Sequence, residues 1–469
     1  MSEPVKLPRG WIFTKFDECI DHIIGGDWGN PISQKIQKEF VKVHVLRSTE
    51  LKNWKNEKGI SAETRIIKKS SLEKRKLDQG NIILEISGGG TRFPVGRSVI
   101  IDNDVLQNSD IPLVCSNFFR KITISDFLDA NFASYFLDYN YQLGKTREFK
   151  NQSVNIQNLN TKEYLSKLLI KIPPINEQKR IVSKIEELFS ELDIIKNRLQ
   201  KVKLQLVQYQ QSLLKFAFEG KLTEEWRRKN PYDKKITKNN NSLPNGWDFV
   251  PLNEIADINP VKSKNAVDDN LDISFLPMKC VEALTGKYDL SNIKKYGEVK
   301  KGYTFFKNKD IIFAKITPCM ENGKIAIVNN LKNGMGFGST EFHVIRLKDN
   351  KMSQQFYFYY LIQNNFRGIA QRNIKGSAGQ LRISTDYMKN VFVPITSFEE
   401  QKQIINKIEE KFIQIKNNEN KINSSLTQLK ILYLSILKQA FEGKLVTQNP
   451  KEGSVEKLFE EIKKKKNLS

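Results

Sequence analysis

Three short segments contain residues of the kind that bind phosphate groups or a nucleobase. Gly144-Lys145-Thr146 ends like a phosphate-binding loop, but Tyr139 stands where such a loop needs its earlier glycine. Asn230-Pro231-Tyr232 is similar to the Asn-Pro-Pro-Tyr loop of amino-methyltransferases, but it lacks the second proline and no glycine-rich methyl-donor loop accompanies it. Gly88-Gly89-Gly90 is more typical of a flexible turn than of a phosphate site. We therefore expect this chain to bind a partner without doing chemistry itself.

Metal-binding and disulfide patterns are missing from the sequence. The four cysteines are far apart and form no Cys-x-x-Cys pair, and the three histidines, His22, His44 and His343, have no metal-ligand spacing. We expect no metal site, no disulfide framework and a reducing compartment. The first residues lack the apolar segment of a signal peptide, and no apolar run approaches the roughly 18 residues of a membrane helix. These features favour a cytoplasmic location.

The charge balance points to a polyanionic partner. The 469 residues include 76 Lys and Arg against 53 Asp and Glu, a net charge of +23. An A/T-rich genome is an alternative source of the many Asn and Lys codons, although codon bias alone should not unbalance the charges. The length favours two to four domains rather than one.

An internal repeat organises the chain. Leu7-Pro8-Arg9-Gly10-Trp11 recurs as Leu243-Pro244-Asn245-Gly246-Trp247. The segment 177–189 recurs as 400–412, and 217–222 recurs as 440–445, both at an offset of 223 residues. Neither copy has an insertion between these two segments, so in each copy the glycine lies 43 positions after the glutamate.

Both 43-residue copies have the apolar spacing of a long helix. Steps of three and four residues alternate along each copy, which predicts a heptad seam. Gly220 and Gly443 fit helix C-caps, Ser397 with Glu400 forms a capping box, and Asn176 is the best candidate cap for the first copy. We predict that one row of the coiled-coil interface consists of Ile185, Leu192, Leu199, Leu206 and Leu213 in the first helix and of Ile408, Ile415, Ile422, Leu429 and Ile436 in the second.

A helix of 43 residues is about 65 Å long, which is too long to bury its apolar stripe in one small domain. The other copy is the economical partner, and repeats related by a two-fold axis would pair antiparallel. The alternative is two ordinary amphipathic helices, each packed on its own domain.

The segments between these landmarks differ in sequence and in length. Both indicate mixed strand and helix, with strands at 82–86 and 311–316 and aromatic-rich helices at 127–140 and 352–364. We predict domain boundaries at 1–172 (first variable domain), 173–222 (first long helix), 223–242 (polar, flexible linker), 243–393 (second variable domain), 394–446 (second long helix) and 447–469 (basic, solvated C-terminal tail).

The repeated segments resemble a known family. The run Glu177 to Phe189 and the closing run Ala217 to Leu222, each occurring twice, are similar to the conserved regions of the specificity subunit of type I restriction-modification systems. The stretch 312–324 with Gly338-Ser339-Thr340-Glu341-Phe342 resembles one form of that family's target recognition domain, and Gly25-Gly26-Asp27-Trp28-Gly29 resembles another.

The resemblance implies an α+β fold, in which two mixed α/β target recognition domains are separated by two long antiparallel coiled-coil helices in a pseudo-two-fold repeat. It also implies a non-catalytic subunit whose domains each read one half of a bipartite double-stranded DNA target. Two methyltransferase (modification) subunits would dock on the helices to form an adenine-N6 methyltransferase, and restriction/translocase subunits would join. S-adenosylmethionine, ATP and magnesium would then belong to the partner subunits and none to this chain.

Polar loop residues are the candidates for DNA contact, because forked donors and amides match base edges whereas lysine mostly contacts phosphate. Each one alone is more often a phosphate contact or plain surface. Glu321 and Glu341 fit an orienting role better than a contact to cytosine. The candidates are Arg92, Arg97, Asn117, Arg120, Arg147, Lys150 and Gln152 in the first domain and Lys315, Thr317, Asn322, Lys324, Ser339, Thr340, Arg372, Lys375 and Gln380 in the second.

Two rival hypotheses belong to other functional classes. A non-catalytic coiled-coil tether would hold DNA or RNA through its basic domains without sequence choice, so salt would weaken its binding to every sequence equally. A self-sufficient nuclease or methyltransferase would need the catalytic motifs that the chain lacks.

Overall fold

The computed structural model describes residues 7–32, 37–88, 94–153, 156–231, 244–262, 266–374 and 381–467. Contacts divide the chain into a first unit, Met1–Arg198 with Ser424–Ser469, and a second unit, Leu199–Asn423. Each unit therefore combines one variable domain with one half of each long helix.

The N-terminal half of the chain alternates short strands with short helices up to the first long helix. Its strands are β1 (Ile12–Lys15), β2 (Ile20–Gly25), β3 (Phe40–Leu46), β4 (Glu63–Lys68), β5 (Ile82–Glu85), β6 (Ser87–Gly88), β7 (Ser98–Ile100), β8 (Leu113–Cys115), β9 (Phe119–Ile124), β10 (Lys150–Ser153), β11 (Ile156–Leu159) and β12 (Leu169–Ile172). Its helices are α1 (Trp54–Glu57), α2 (Lys69–Arg75), α3 (Asn103–Gln107), α4 (Ala130–Gln142), α5 (Thr161–Lys167), α6 (Ile175–Phe218) and α7 (Glu224–Lys229).

The C-terminal half follows the same plan and ends with a further helix. Its strands are β13 (Asp248–Pro251), β14 (Ala256–Ile258), β15 (Asp272–Leu276), β16 (Ile293–Lys295), β17 (Thr304–Lys307), β18 (Ile311–Ala314), β19 (Ile325–Ile327), β20 (Met335–Gly338), β21 (Phe342–Leu347) and β22 (Phe392–Ile395). Its helices are α8 (Leu252–Ile255), α9 (Tyr296–Val299), α10 (Gln354–Leu361), α11 (Asn364–Arg372), α12 (Thr385–Asn390), α13 (Phe398–Phe441) and α14 (Glu456–Asn467).

The first unit is built from four small sheets and the helices that cover them. The strand orders are β2-β9-β5-β7, β4-β3-β8, β10-β11-β6 and β1-β12, and β3 and β8 run parallel. Its largest core contains Phe132 and Phe136 of α4, Ile181 of α6 and Phe441 of α13. Both long helices thus contribute side chains to the core of this domain.

The second unit repeats this organisation with a larger second sheet. The strand orders are β14-β21-β18-β19, β16-β15-β20-β17 and β13-β22, and β15 and β20 run parallel. Phe356 and Tyr357 of α10, Leu214 of α6 and Ile404 of α13 share its largest core. These arrangements confirm the predicted mixed fold, and β5, β18, α4 and α10 lie where strands and aromatic helices were predicted.

The repeated motifs meet where each domain joins its long helix. β1, which follows Trp11, pairs with β12, which leads into α6, and β13 pairs with β22 in the same way before α13. Gly10 and Gly246 turn with φ of 80° and 82°, a region that favours glycine. The indole N–H of Trp11 donates to Glu177 at 3.2 Å, so the first motif of the repeat binds the second.

A buried glutamine fixes each domain to the start of its helix. Gln178 donates to the carbonyl oxygens of Phe127 and Pro173 at 2.9 and 2.8 Å and accepts from the amide of Asp129 at 2.6 Å. Gln401, its counterpart at the offset of 223, donates to Thr396 O and accepts from the amide of Ser353, both at 2.9 Å. Satisfied buried amides of this kind position an element, because leaving them unpaired is costly.

Each long helix has 44 residues, and three of the four ends predicted for the two helices together are confirmed. Ser397 Oγ accepts from the amide of Glu400 at 3.2 Å, while Gly220 and Gly443 adopt φ of 71° and 69°. The prediction of Asn176 as a cap is wrong. The helix already begins at Ile175, and the carbonyl of Pro174 accepts from the amide of Gln178 at 3.0 Å.

The long helices pair antiparallel, as predicted. In the first unit Phe189 of α6 stacks on Tyr433 near the end of α13, and in the second unit Lys203 Nζ donates to Asn423 Oδ1 at 3.0 Å. All ten residues of the predicted row are buried or half-buried. The heptad spacing of α6 also includes a second row, and part of that row is exposed because the partner helix covers only one side of α6. Its residues Ile195, Val202, Tyr209 and Phe216 are 44, 42, 48 and 45% exposed.

Two segments are more ordered than their composition indicates. Part of the predicted flexible linker forms α7, because Arg227 makes an ion pair with the buried Glu400. The predicted solvated tail folds back onto the first unit. Val455 is buried, and the ring of Phe459 packs edge-on against Phe127 at 5.3 Å. An ion pair thus orders the start of the linker, and apolar contacts outweigh the local lysine content of the tail.

Within the described ranges no helix is long and apolar enough to cross a membrane. The same part of the chain holds no group of three His, Cys, Asp or Glu residues placed to bind a metal ion.

Candidate nucleic-acid interface

Most predicted contact residues of the second domain lie at one edge, where several strand ends meet. β15 and β20 run parallel and both end there, β18 also ends there, and β21 begins beside the end of β18. The loops 315–324 and 339–341 therefore lie side by side. The isolated bridge between Ile316 and Arg382 adds the segment that returns toward α12.

The two domains build this edge on the same backbone hydrogen bonds. In each domain a tight turn follows the second strand of the parallel pair, which is β8 in the first domain and β20 in the second. This turn and a returning segment both bind the loop that follows β5 in the first domain and β18 in the second. The first-domain bonds are Ser116 N to Leu46 O (2.9 Å), Phe119 N to Ser116 O (3.0 Å), Ile86 N to Phe118 O (2.8 Å) and Leu159 N to Ile86 O (2.8 Å). Their second-domain counterparts are Ser339 N to Leu276 O (3.2 Å), Phe342 N to Ser339 O (3.2 Å), Lys315 N to Glu341 O (2.9 Å) and Ile383 N to Lys315 O (2.9 Å).

An ion pair closes the turn of the second domain. Arg382 donates to both carboxylate oxygens of Glu341 at 2.8 and 2.7 Å, and the guanidinium holds the pKa of Glu341 below its usual range. Glu341 therefore has the orienting role that the sequence favoured. Its carboxylate is neutralised at an edge where an unpaired anion would repel a phosphate backbone.

The loop 317–324 is fastened to its surroundings from two sides. Gln371 of α11 donates to Glu321 Oε1 at 3.0 Å, and the buried Arg367 donates to the carbonyl of Glu321. Lys324 donates through Nζ to the carbonyl of Met278 at 2.9 Å. Asn322, at the exposed side of this loop, is therefore presented by a fixed backbone.

A buried, neutral histidine binds the segment that returns to the same edge. His343 is buried, its Nε2 donates to the carbonyl of Ile383 at 2.9 Å, and its Nδ1 faces the amide nitrogen of Asn259 at 3.1 Å. Burial lowers the pKa of His343 to about 4. The side chain is therefore an uncharged spacer at neutral pH and no ligand for phosphate.

The guanidinium of Arg97 is held by an ion pair beside the corresponding edge of the first domain. Its guanidinium binds both oxygens of Glu85 at 2.8 and 2.6 Å and the carbonyl of Ser48 at 3.3 Å. The Glu85 side chain is fully buried, and a buried carboxylate needs a paired cation. Glu85 therefore holds the guanidinium that the sequence assigned to DNA.

Amide side chains line the first-domain edge next to an exposed turn. β11 pairs with β10 and β6, so that Asn158 lies opposite Asn151 on one side and Ser87 on the other. Asn117 and Phe118 form the adjoining turn and are both exposed. Asn151, Asn158 and Phe118 are not among the contact residues predicted from the sequence, because only the pairing of distant segments brings them to this edge.

The sixteen predicted contact residues fall into five groups. Asn117, Arg147, Asn322, Thr340 and Arg372 are exposed, whereas Arg120, Lys150, Lys315, Thr317, Lys324 and Ser339 are half-buried. Arg97 is held by its ion pair. Gln152 lies on β10, and Arg92, Lys375 and Gln380 fall outside the described residues.

The fold, with a similar loop edge in each domain, is that of a two-domain recognition protein. A family model identifies the family to which the chain belongs. The family model of the "Type I restriction modification DNA specificity domain" matches residues 30–204 and 244–428, more than half of the chain. The chain belongs to this family, whose members are non-catalytic specificity subunits. The two matches coincide with the two copies of the repeat.

Individual relatives agree with the family match. The EcoEI specificity subunit of Escherichia coli is 41% identical over 164 residues, which cover 35% of this chain but only 27% of that subunit. The EcoKI specificity subunit of Escherichia coli strain K12 is 24% identical over 98% of this chain and 96% of its own length.

Solved structures show the same fold at low sequence identity. A chain from a study of "complex assembly" and "conformational transition of the type I R-M system" matches with a TM-score of 0.64 at 17% identity, covering 94% of this chain and all of that one. The HsdS subunit from Thermoanaerobacter tengcongensis matches with a TM-score of 0.53 at 18% identity, covering 94% of this chain and 99% of its own.

Proposed function

We propose that this chain is the sequence-specific DNA-binding subunit of a type I restriction-modification complex. Each domain reads one half of a bipartite double-stranded target through the edge described above. The observation that carries the proposal is the shared hydrogen-bond framework, on which the two domains present different side chains. A common scaffold with different contact residues is what two half-sites of different sequence require.

The long helices set the distance between the half-sites in this proposal. Contacts to two sites on one duplex need a fixed separation, and a pair of antiparallel helices supplies a rigid one. The exposed apolar row Ile195, Val202, Tyr209 and Phe216 of α6 is the face on which we place helices of the two modification subunits. Restriction/translocase subunits join that assembly.

The chemistry belongs to the partner subunits. We propose that they bind S-adenosylmethionine, ATP and magnesium and methylate adenine at N6, while this chain selects the sequence. The complex acts in the cytoplasm, where its DNA target is accessible.

Family membership and the differing contact residues favour this function over a tether without sequence choice. Mapping methylated adenines in the host genome, with and without this chain, tests it directly. We expect a split motif that disappears when the chain is deleted. Methylation that is unchanged by the deletion, or binding that salt weakens equally for target and scrambled DNA, contradicts the proposal.

A further inference from the structure

The turn of the first domain carries an exposed aromatic ring at its DNA-facing edge. Phe118 is 43% exposed and lies between the exposed Asn117 and the start of β9. Its carbonyl accepts hydrogen bonds from the amides of Ile86 at 2.8 Å and Ser87 at 3.3 Å. The backbone at Phe118 is therefore fixed, although 43% of the residue is exposed.

The second domain holds an ion pair at the equivalent positions. The shared framework makes Phe118 the counterpart of Glu341 and Asn158 the counterpart of Arg382. In the first domain these two positions hold a phenyl ring and an amide, which cannot form that pair. Because Phe118 and Asn158 do not pair in this way, their side chains can contact a partner.

A phenyl ring at this edge has one favourable way to contact DNA. It carries no donor for a phosphate and no group for the polar edge of a base. It can contact the apolar parts of bases, which are a thymine methyl group in the major groove or the face of a base pair that has been partly unstacked.

We propose that Phe118 is a specificity-determining residue that makes apolar contact with the bases of the half-site read by the first domain. The amide of Asn158 stands beside it as a candidate for polar contact with a neighbouring base. This inference rests on the proposed function, and it adds a residue that composition and motif spacing did not indicate.

The test compares Phe118→Ala, Phe118→Leu and a matched control in the complete complex. Phe13→Ala is the control, because Phe13 is 44% exposed in the same unit but lies on β1 at the joint with α6. Binding is measured on duplexes that carry the mapped target, a target scrambled in one half-site, or a target scrambled in the other.

We expect Phe118→Ala to weaken binding to the intact target about tenfold, Phe118→Leu to retain most of it and Phe13→Ala to match the wild type. The loss should vanish once the half-site of the first domain is scrambled and persist when only the other half-site is scrambled. Equal binding by Phe118→Ala and the wild type, or a loss that is equal on all three duplexes, overturns the inference.

Two further duplexes distinguish the possible base contacts. Replacing thymine by uracil throughout the half-site should abolish the difference between wild type and Phe118→Ala if a methyl group is the contact. If the ring inserts between stacked bases, the fluorescence of 2-aminopurine placed in the half-site should rise when the wild type binds but not when Phe118→Ala binds. Neither response, despite normal target binding by the wild type, also overturns the inference. A wild-type complex that does not distinguish the three duplexes contradicts the proposed function itself.

Discussion

Phe189 and Tyr433 stack face to face, with ring centroids 4.1 Å apart and planes inclined by 16°. The two residues are 244 positions apart and belong to different long helices. The hydroxyl of Tyr433 donates to Asp138 of α4 at 2.6 Å, and Tyr135 of the same helix packs edge-on against Phe189. One contact thus joins both long helices to the first recognition domain.

Removing this stack should loosen the joint between the helices and the first domain. We expect Phe189→Ala to lower the free energy of unfolding of the first unit by about 2 kcal/mol, because a half-buried aromatic ring leaves a cavity. Ile431→Ala, on the same stretch of α13 and 62% exposed, should change it by less than about 0.5 kcal/mol. Calorimetric unfolding of both variants measures the difference, and equal midpoints would contradict the assigned role.

The ion pair between Arg227 and Glu400 should be essential to the second unit. The Glu400 side chain is fully buried and also accepts from Thr223 at 2.6 Å and Thr396 at 2.9 Å. Arg227→Ala leaves an uncompensated buried charge, so we expect a loss of about 3 kcal/mol.

The neighbouring arginine provides the control for that loss. The Arg228 side chain is 74% exposed, and Arg228→Ala should be nearly neutral. The double variant Arg227→Ala with Glu400→Gln should recover part of the stability, because the remaining group is uncharged. Thermal unfolding that shows no recovery would mean that packing, rather than charge, explains the loss.

The buried His343 should make the second unit less stable in acid. Its pKa is about 4 in the folded protein against 6.5 for the free side chain, so between these values the unfolded state binds more protons. The free energy of unfolding therefore falls as the pH drops from 6.5 toward 4, by at most about 1.4 kcal/mol per pH unit from this group.

Replacing the histidine should flatten that dependence. We expect His343→Gln to show a smaller slope of unfolding free energy against pH in this range, whatever its stability at neutral pH. Urea unfolding of the wild type and the variant at a series of pH values measures the two slopes, and identical slopes would show that His343 is not the cause of the pH dependence.

The equal lengths of α6 and α13 predict how insertions behave. Seven residues added after Lys201 lengthen α6 by two turns, about 10 Å, and should disrupt assembly because its partner helix no longer matches. The same insertion placed after Ser424 as well should restore assembly and widen the target by about 3 base pairs, since DNA rises 3.4 Å per base pair.

The recognised motif provides the measurement for those insertions. Mapping methylated adenines in cells that carry each variant gives both half-sites and their spacing. Unchanged half-sites with a wider gap fit the proposal. Normal assembly and unaltered spacing after the single insertion would refute a spacer role for the paired helices.

The fold could be predicted where its signals are local and repeated. The heptad steps of α6 and α13 required nothing beyond neighbouring residues, and Gly220 and Gly443 ended both helices because glycine accepts a positive φ. Asn176 was a wrong cap because the backbone of Pro174 already supplies the first helical acceptor. The exposure of one apolar row of α6 was not predictable, since a heptad pattern does not indicate how many helices pack against the helix that carries it.

The candidate DNA-contact edge depended much more on tertiary structure. The sequence identified polar residues in loops, but it could not reveal that Arg97 binds the buried Glu85. Nor could it reveal that Phe118 and Glu341 occupy equivalent positions, because the Ser-x-x-Phe pattern that their turns share is too short to align two domains of different length. The equivalence lies in backbone hydrogen bonds between segments that are 26 to 73 residues apart.

The amino-acid sequence by itself determined that this chain is a duplicated, basic protein with two long helices of equal length. Periodicity, capping residues and net charge are properties of neighbours or of the whole composition, so they survive without coordinates. Tertiary structure alone decided that Phe189 meets Tyr433, that an ion pair holds Arg97 and that Phe118 stands at the edge. Each of these contacts depends on which distant segments pack together. That packing is set by the burial of apolar surface over the whole folded chain.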